Sequence, residues 1–109
     1  MLPSIYRLPK KNFIQTMRHG IRSQIHGMQF TSINTESSHT HLGILVTKKF
    51  SKKAVTRNQI KKQIAMAFLP LLEKESAPKN IVCKIMQPIQ YSSFQNLKTT
   101  IEAYIASLS

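Results

Sequence analysis

The sequence is poor in acidic side chains, and this limits the chemistry it can support. Its 109 residues include four acidic residues and no aspartate. All four acidic residues are glutamates, at Glu36, Glu73, Glu75 and Glu102. The chain therefore has very few acidic residues from which to form the paired carboxylates of a glycosidase or a carboxylate cluster that holds two metal ions. A Ser-His-Asp triad is excluded unless a glutamate replaces the aspartate.

Cysteine and long apolar runs are also scarce. A single cysteine, Cys83, excludes an internal disulfide and is expected in the core of a strand. His39 and His41 lack a third ligand, so no metal site is predicted. No segment approaches the roughly 18 apolar residues of a membrane span, and residues 1–15 lack the apolar stretch of a secretory signal. We therefore expect a cytoplasmic protein that has no membrane partner and no small-molecule substrate.

Positive charge is abundant and unevenly placed. Sixteen lysines and arginines give a formal net charge of +12. Residues 1–35 contain five basic residues and no acid, and residues 37–72 contain seven and no acid, whereas residues 73–109 are nearly neutral. One part of the fold must therefore generate the positive field. A generally solvated basic surface is the simplest explanation, but the clustering favours a polyanion partner such as RNA.

The hydrophobic pattern predicts one α+β domain over residues 1–109, in which helices pack on a small sheet. Helices are predicted at 10–19, where Gly20 is the stop signal, and at 54–72 and 94–108. Strands are predicted at 25–33, 42–47 and 80–86. The order is α-β-β-α-β-α, with one more short strand left open near 25–33. In the middle helix the predicted apolar arc consists of Ile60, Ile64, Ala67, Phe68 and Leu71.

Two groups of side chains are candidates for binding RNA. Four polar or basic residues start the middle helix at positions i, i+1, i+4 and i+5, and no glutamate neutralises them: Arg57, Asn58, Lys61 and Lys62. Such a face suits a phosphate backbone, although a solvated helix face is the alternative. In the first helix, Phe13 and Met17 lie four residues apart. They either pack on unpaired bases or belong to the core, and the pattern alone favours the core.

Two strings of residues resemble a known family. Residues 42–49 read Leu-Gly-Ile-Leu-Val-Thr-Lys-Lys, and residues 54–68 begin Ala-Val-Thr-Arg-Asn-Gln-Ile-Lys-Lys and end in Phe. They are similar to the strand and the basic helix of the bacterial ribonuclease P protein subunit. The resemblance implies the order α-β-β-β-α-β-α, a four-stranded sheet, and a left-handed crossover between parallel strands, which is an exception to the usual hand.

The resemblance also implies a function. The protein would be the accessory subunit of an endoribonuclease, without catalytic residues of its own. It would bind ribonuclease P RNA and the 5′ leader of precursor tRNA, and would assist removal of the leader by the RNA, which would hold the Mg²⁺. Expected contacts with the RNA subunit are Arg57, Asn58, Lys61, Lys62, Lys48, Lys49, Lys52 and Lys53. Expected contacts with the leader are Phe13, Met17, Phe30 and Lys10. The alternative is a structural, ribosomal-type RNA-binding protein.

The sequence departs from the family pattern within the basic helix. Gln59 and Ala65 stand where the family usually carries arginine, and Met17 replaces an aromatic residue of the first helix. We expect Ala65 to be exposed on the arc of Asn58 and Lys61. On that basis, an arginine at position 65 would add a phosphate contact.

Overall fold

A four-stranded sheet forms the middle layer of the protein, with helices on both of its faces. The computed structural model describes residues 4–25, 28–73, 78–85 and 94–108. A short 3-10 turn, Ser4–Tyr6, precedes the main elements, and the predicted order α-β-β-β-α-β-α is confirmed. In chain order these elements are α1 (Lys10–His19), β1 (Ile21–Ile25), β2 (Met28–Asn34), β3 (His41–Val46), α2 (Ala54–Leu72), β4 (Lys79–Ile85) and α3 (Phe94–Ser107).

The strands follow the order β1-β2-β4-β3 across the sheet. β2 is antiparallel to both β1 and β4, whereas β3 and β4 are parallel neighbours joined through α2. The strand predicted at 25–33 corresponds to β2 and to Ile25 at the end of β1, whereas residues 21–24 of β1 were not predicted as a strand. The sequence of β1, Ile-Arg-Ser-Gln-Ile, contains few β-favouring residues. Residues 26–27, and residue 86 at the end of the last predicted strand, lie outside the described residues. The hand of the crossover stays a prediction of the family resemblance.

One face of the sheet, together with α2 and α3, forms the hydrophobic core. Phe30 of β2 stacks on Tyr104 of α3, with ring centroids 4.1 Å apart and planes 8° from parallel. Phe68 of α2 lies 6.2 Å from Phe30 and completes a fully buried aromatic group. Cys83 is buried in this core, as predicted. Because burial disfavours the thiolate, the pKa of the Cys83 thiol is raised well above its usual range.

The other face of the sheet carries α1, which approaches the strands closely at two glycines. A Cβ at Gly43 would overlap the Phe13 ring, so this ring occupies the space above β3. At Gly20, a Cβ would come within 2.7 Å of Thr31 Cγ2. The helix ends before Gly20, as predicted, but Gly20 has an extended backbone with φ −79°. Close contacts with the Thr16 carbonyl of α1 and with β2, and not a left-handed turn, therefore account for glycine at this position.

Candidate nucleic-acid interface

The first two turns of α2 carry the predicted basic residues on the outer side of the molecule. Arg57 and Lys61 are half-buried and one turn apart, and Asn58 and Lys62 are exposed beside them. We call these four residues the basic helix face. No acidic residue occupies the first turn of α2, and the side chain of its N-cap residue, Lys53, makes no capping hydrogen bond. Positive charge here opposes the helix dipole, so local helix stability does not explain it.

A basic connector, residues 47–53, leads from β3 into α2. Its start is fixed to the end of β4, because the Thr47 backbone N–H donates to the Ile85 carbonyl at 3.1 Å. Its other end is held by Arg57, whose Nη1 donates to the Ser51 carbonyl at 2.9 Å. These bonds join the connector and the basic helix face into one surface. The connector lysines are all exposed, namely Lys48, Lys49, Lys52 and Lys53.

The expectation for Ala65 was wrong. Its exposed fraction is 5%, and it belongs to the same core as Ile64 and Phe68. The reason is that α2 packs against both the sheet and α3, so its buried arc is wider than that of a helix with one neighbour. An arginine at position 65 would enter the core and would not extend the basic helix face. Gln59 is exposed, in contrast.

The predicted leader-binding residues divide between the two faces of the sheet. Phe13 and Met17 are half-buried on α1, and Lys10 is exposed at the start of that helix. Phe13 therefore packs on the sheet, and the residue as a whole is still partly exposed to solvent. Phe30 lies on the opposite face and has an exposed fraction of 0%. The prediction that Phe30 contacts a leader was wrong, because its ring is enclosed by α2 and α3.

Beside α1 lies a row of side chains that the sequence interpretation missed. The strand register aligns one residue from each strand, on the face that carries α1: Gln24, Gln29, Lys84 and Leu45. We call these four residues the open sheet row, because Gln24 and Leu45 are exposed and the other two are half-buried. The alternation of strand residues could have revealed Leu45, since residues two apart share a face and Gly43 lies beneath Phe13.

The open sheet row connects Phe13 to the basic connector. Leu45 follows Gly43 on the same face, about 7 Å along the strand. It also lies two residues before Thr47, where the basic connector begins. Lys84 stands next to Leu45 on β4 and adds positive charge to the path. A chain of RNA could thus run over an aromatic ring and then along cations, which is how proteins hold single strands.

The described residues offer little for metal binding or acid–base catalysis. Over residues 4–25, 28–73, 78–85 and 94–108, no three histidine, cysteine or acidic side chains are grouped closely enough to hold a metal ion. In the same part of the chain one salt bridge is present, Lys98 to Glu102 at 3.8 Å on α3. The cations of the basic helix face and the basic connector therefore have no carboxylate within 4 Å among the described residues.

Comparison with known proteins decides the family. The sequence model of the family described as Ribonuclease P matches residues 2–109. The chain belongs to the ribonuclease P protein family. The ribonuclease P protein component of Microcystis aeruginosa is 37% identical over 82 residues, which cover 70% of this chain and 68% of that protein. The corresponding protein of a Pseudanabaena species is 29% identical over 108 residues, covering 97% and 93%.

Solved structures of ribonuclease P proteins have the same fold. The Staphylococcus aureus protein superposes with a TM-score of 0.82 over 95% of both chains, at 24% identity. The Thermotoga maritima protein, solved in complex with 1-(4-fluorophenyl)-2-thiourea, gives 0.75 over 90% of this chain and 95% of that one, at 19% identity. These likenesses confirm the predicted α+β fold with a four-stranded mixed sheet.

Family membership establishes the general role. As a ribonuclease P protein component, the chain is a subunit of an endoribonuclease complex that processes the 5′ end of tRNA, and ribonuclease P RNA is its partner. The structural, ribosomal-type alternative is thereby set aside. Among the described residues, no helix is both long and apolar enough to span a membrane.

Proposed function

We propose that this protein positions RNA for a cleavage reaction whose active site is in the ribonuclease P RNA. The basic helix face and the basic connector would bind the RNA subunit. The groove formed by Phe13, Met17 and the open sheet row would bind the 5′ leader of precursor tRNA, with Lys10 at its border. We also propose a cytoplasmic location, as expected for this subunit.

The observation that carries the proposal is the continuous path from Phe13 to the basic connector. Phe13 lies over Gly43, and the next residue of β3 on the same face, Leu45, is exposed and pairs with the half-buried Lys84. Stacking on such a ring tolerates any base, because every base has a π-face. Lysines further along the path would neutralise phosphates, so this groove favours a single strand without selecting its sequence.

The scarcity of acids supports the division of labour between protein and RNA. Phosphodiester cleavage with Mg²⁺ requires oxygen ligands, which proteins usually supply as carboxylates. This chain has four carboxylate side chains in all, and only Glu73 and Glu75 lie close together in the sequence. The residues present do not fit a metal centre, whereas RNA phosphates would bind Mg²⁺, which would polarise the scissile phosphate and activate water. The contribution of this chain is then binding and orientation.

A processing assay tests the proposal directly. The protein freed of RNA is expected to leave precursor tRNA intact over the whole range of Mg²⁺ concentrations, since the residues that the structure describes offer no group of metal ligands. Addition of the protein to its RNA subunit should raise the cleavage rate at low Mg²⁺. Under these conditions the repulsion between the RNA subunit and precursor tRNA, which are both polyanions, is strongest. Cleavage by the RNA-free protein, abolished by replacing a histidine or glutamate, would contradict the proposal.

Replacement of Phe13 tests the leader groove. Phe13→Ala is expected to weaken binding of precursor tRNA to the holoenzyme by about 1–3 kcal/mol, the usual contribution of one stacked base. Binding of mature tRNA, which has no leader, should stay unchanged. Met66→Ala is the control, because Met66 is 64% exposed and belongs to none of the proposed RNA-binding surfaces. Equal losses for precursor and mature tRNA would return Phe13 to a purely structural role.

A further inference from the structure

The outward face of α1 carries charge that the proposed function does not use. Along this helix, Thr16 is buried and Asn12, Phe13, Met17 are half-buried against the sheet. The residues opposite to them are all exposed, and we call them the α1 ridge: Lys11, Ile14, Gln15 and Arg18. Lys11 and Arg18 are seven residues apart, which aligns them on the helix at a distance of about 10.5 Å along its axis.

Neither cation of the ridge forms an ion pair with a described carboxylate. The carboxylates of the described residues lie more than 4 Å from both, since the salt bridge found in that part of the chain joins Lys98 to Glu102. Arg18 lies in the last turn of α1, where a cation favours the helix, but Lys11 lies in the first turn, where it opposes the dipole. The first turn of α1 also contains no acid. Helix stability therefore does not explain a ridge with a cation at each end.

We propose that the α1 ridge is a second docking surface for the RNA subunit, and that it binds the phosphate backbone of a base-paired segment. The proposal rests on the proposed function, because it adds a contact to the same RNA. α1 and α2 lie on opposite faces of the sheet, so RNA on the ridge is a different segment from RNA on the basic helix face. The protein would then be held between two parts of one folded RNA.

The character of the ridge selects base-paired RNA over the leader. The ridge is convex and contains no aromatic side chain, so it offers no ring on which an unpaired base can stack. Phe13 and Met17 point away from it, towards the sheet. Proteins recognise base-paired RNA by its backbone and shape, for which spaced cations are sufficient. Ribonuclease P RNA is the established partner, and we assign the α1 ridge to the binding of its base-paired segments.

Single-charge variants of the full-length protein test the ridge. Lys11→Gln and Arg18→Gln each remove one cation, and Lys98→Gln removes one from α3 as a matched control. Arg57→Gln, in the basic helix face, is the positive control. The measurement is the dissociation constant for the RNA subunit over a range of salt concentrations, with thermal unfolding of each variant alongside.

Each ridge variant is expected to lower the slope of log affinity against log salt by about 0.9. With this change in slope, the affinity of the variant relative to the unaltered protein is about eightfold lower at 0.1 M salt than at 1 M salt. Lys98→Gln should change neither quantity. Parallel titrations with mature tRNA and with a leader oligonucleotide should be insensitive to Lys11→Gln and Arg18→Gln.

The outcomes separate this inference from the proposed function. If both ridge variants behave like Lys98→Gln while Arg57→Gln weakens binding, the ridge proposal fails and the basic helix face stands. If Arg57→Gln also has no effect, the proposed contact with the RNA subunit fails as well. A loss confined to mature tRNA or to the leader oligonucleotide would overturn the assignment of the ridge to the RNA subunit.

Discussion

Phe30→Ala is expected to destabilise the protein by about 3–5 kcal/mol, the usual range for truncating a buried phenylalanine. Phe30 is fully buried, and its ring stacks on Tyr104 at 4.1 Å. The variant loses both the buried apolar area and this stacking contact. A domain of this size has a total stability of about 5–15 kcal/mol, so the loss brings it close to unfolding. Urea denaturation followed by circular dichroism measures the change.

A second substitution separates the core role of Phe30 from a role in leader binding. Phe30→Leu keeps an apolar side chain in the core and should lose much less stability than Phe30→Ala. Because the ring is enclosed by α2 and α3, precursor tRNA should bind the folded Phe30→Leu variant as tightly as it binds the unaltered protein. A folded variant that loses selectivity for the leader would restore the original expectation for Phe30.

Gly43→Ala is expected to lower stability by about 1–3 kcal/mol, as overpacking usually does. The added Cβ would overlap the Phe13 ring, so the ring must leave its place above β3. The same displacement should remove the stacking surface and weaken the binding of precursor tRNA more than the binding of mature tRNA. Urea denaturation and binding of the two tRNA forms, measured on the same preparation, test both parts.

A double-mutant cycle shows whether Phe13 is responsible for this loss. All three nearest atoms to a Cβ at position 43 belong to the Phe13 ring. In a Phe13→Ala background, Gly43→Ala should therefore be neutral or slightly stabilising, since alanine is favoured over glycine in a strand. An equal loss in both backgrounds would mean that another neighbour resists the methyl group.

The main elements were predictable because their hydrophobic periods are strong. α2 has the predicted bounds, 54–72, and Ile64 and Phe68 lie on its predicted buried side. β1 was missed because its sequence, Ile-Arg-Ser-Gln-Ile, contains only two strongly β-favouring residues. The family resemblance, which implied one more strand, corrected what periodicity alone left open.

The site residues that are identified by their charge were predictable, whereas residues whose exposure depends on packing were not. The basic helix face and connector are recognisable because cations cluster without acids. Ala65 was misplaced because a small residue at the edge of an apolar arc gives no sign of a second neighbouring helix. Phe30 was misplaced because alternation assigns residues to two faces of a strand but does not say which face meets α1.

The position of β4 has a consequence for how this protein is made. β4 is the last strand in the sequence, yet it lies between β2 and β3, which have no direct pairing with each other. A nascent chain that has left the ribosome as far as α2 therefore carries Phe13, the basic connector and the basic helix face. It cannot yet form the complete sheet on which they lie. Val82, which pairs with Gly43 in the register, belongs to β4 and is therefore also synthesised after α2. We expect the cationic first two thirds of the chain to meet cellular RNA before the fold that organises it is complete, and pairing over such sequence separations is slow.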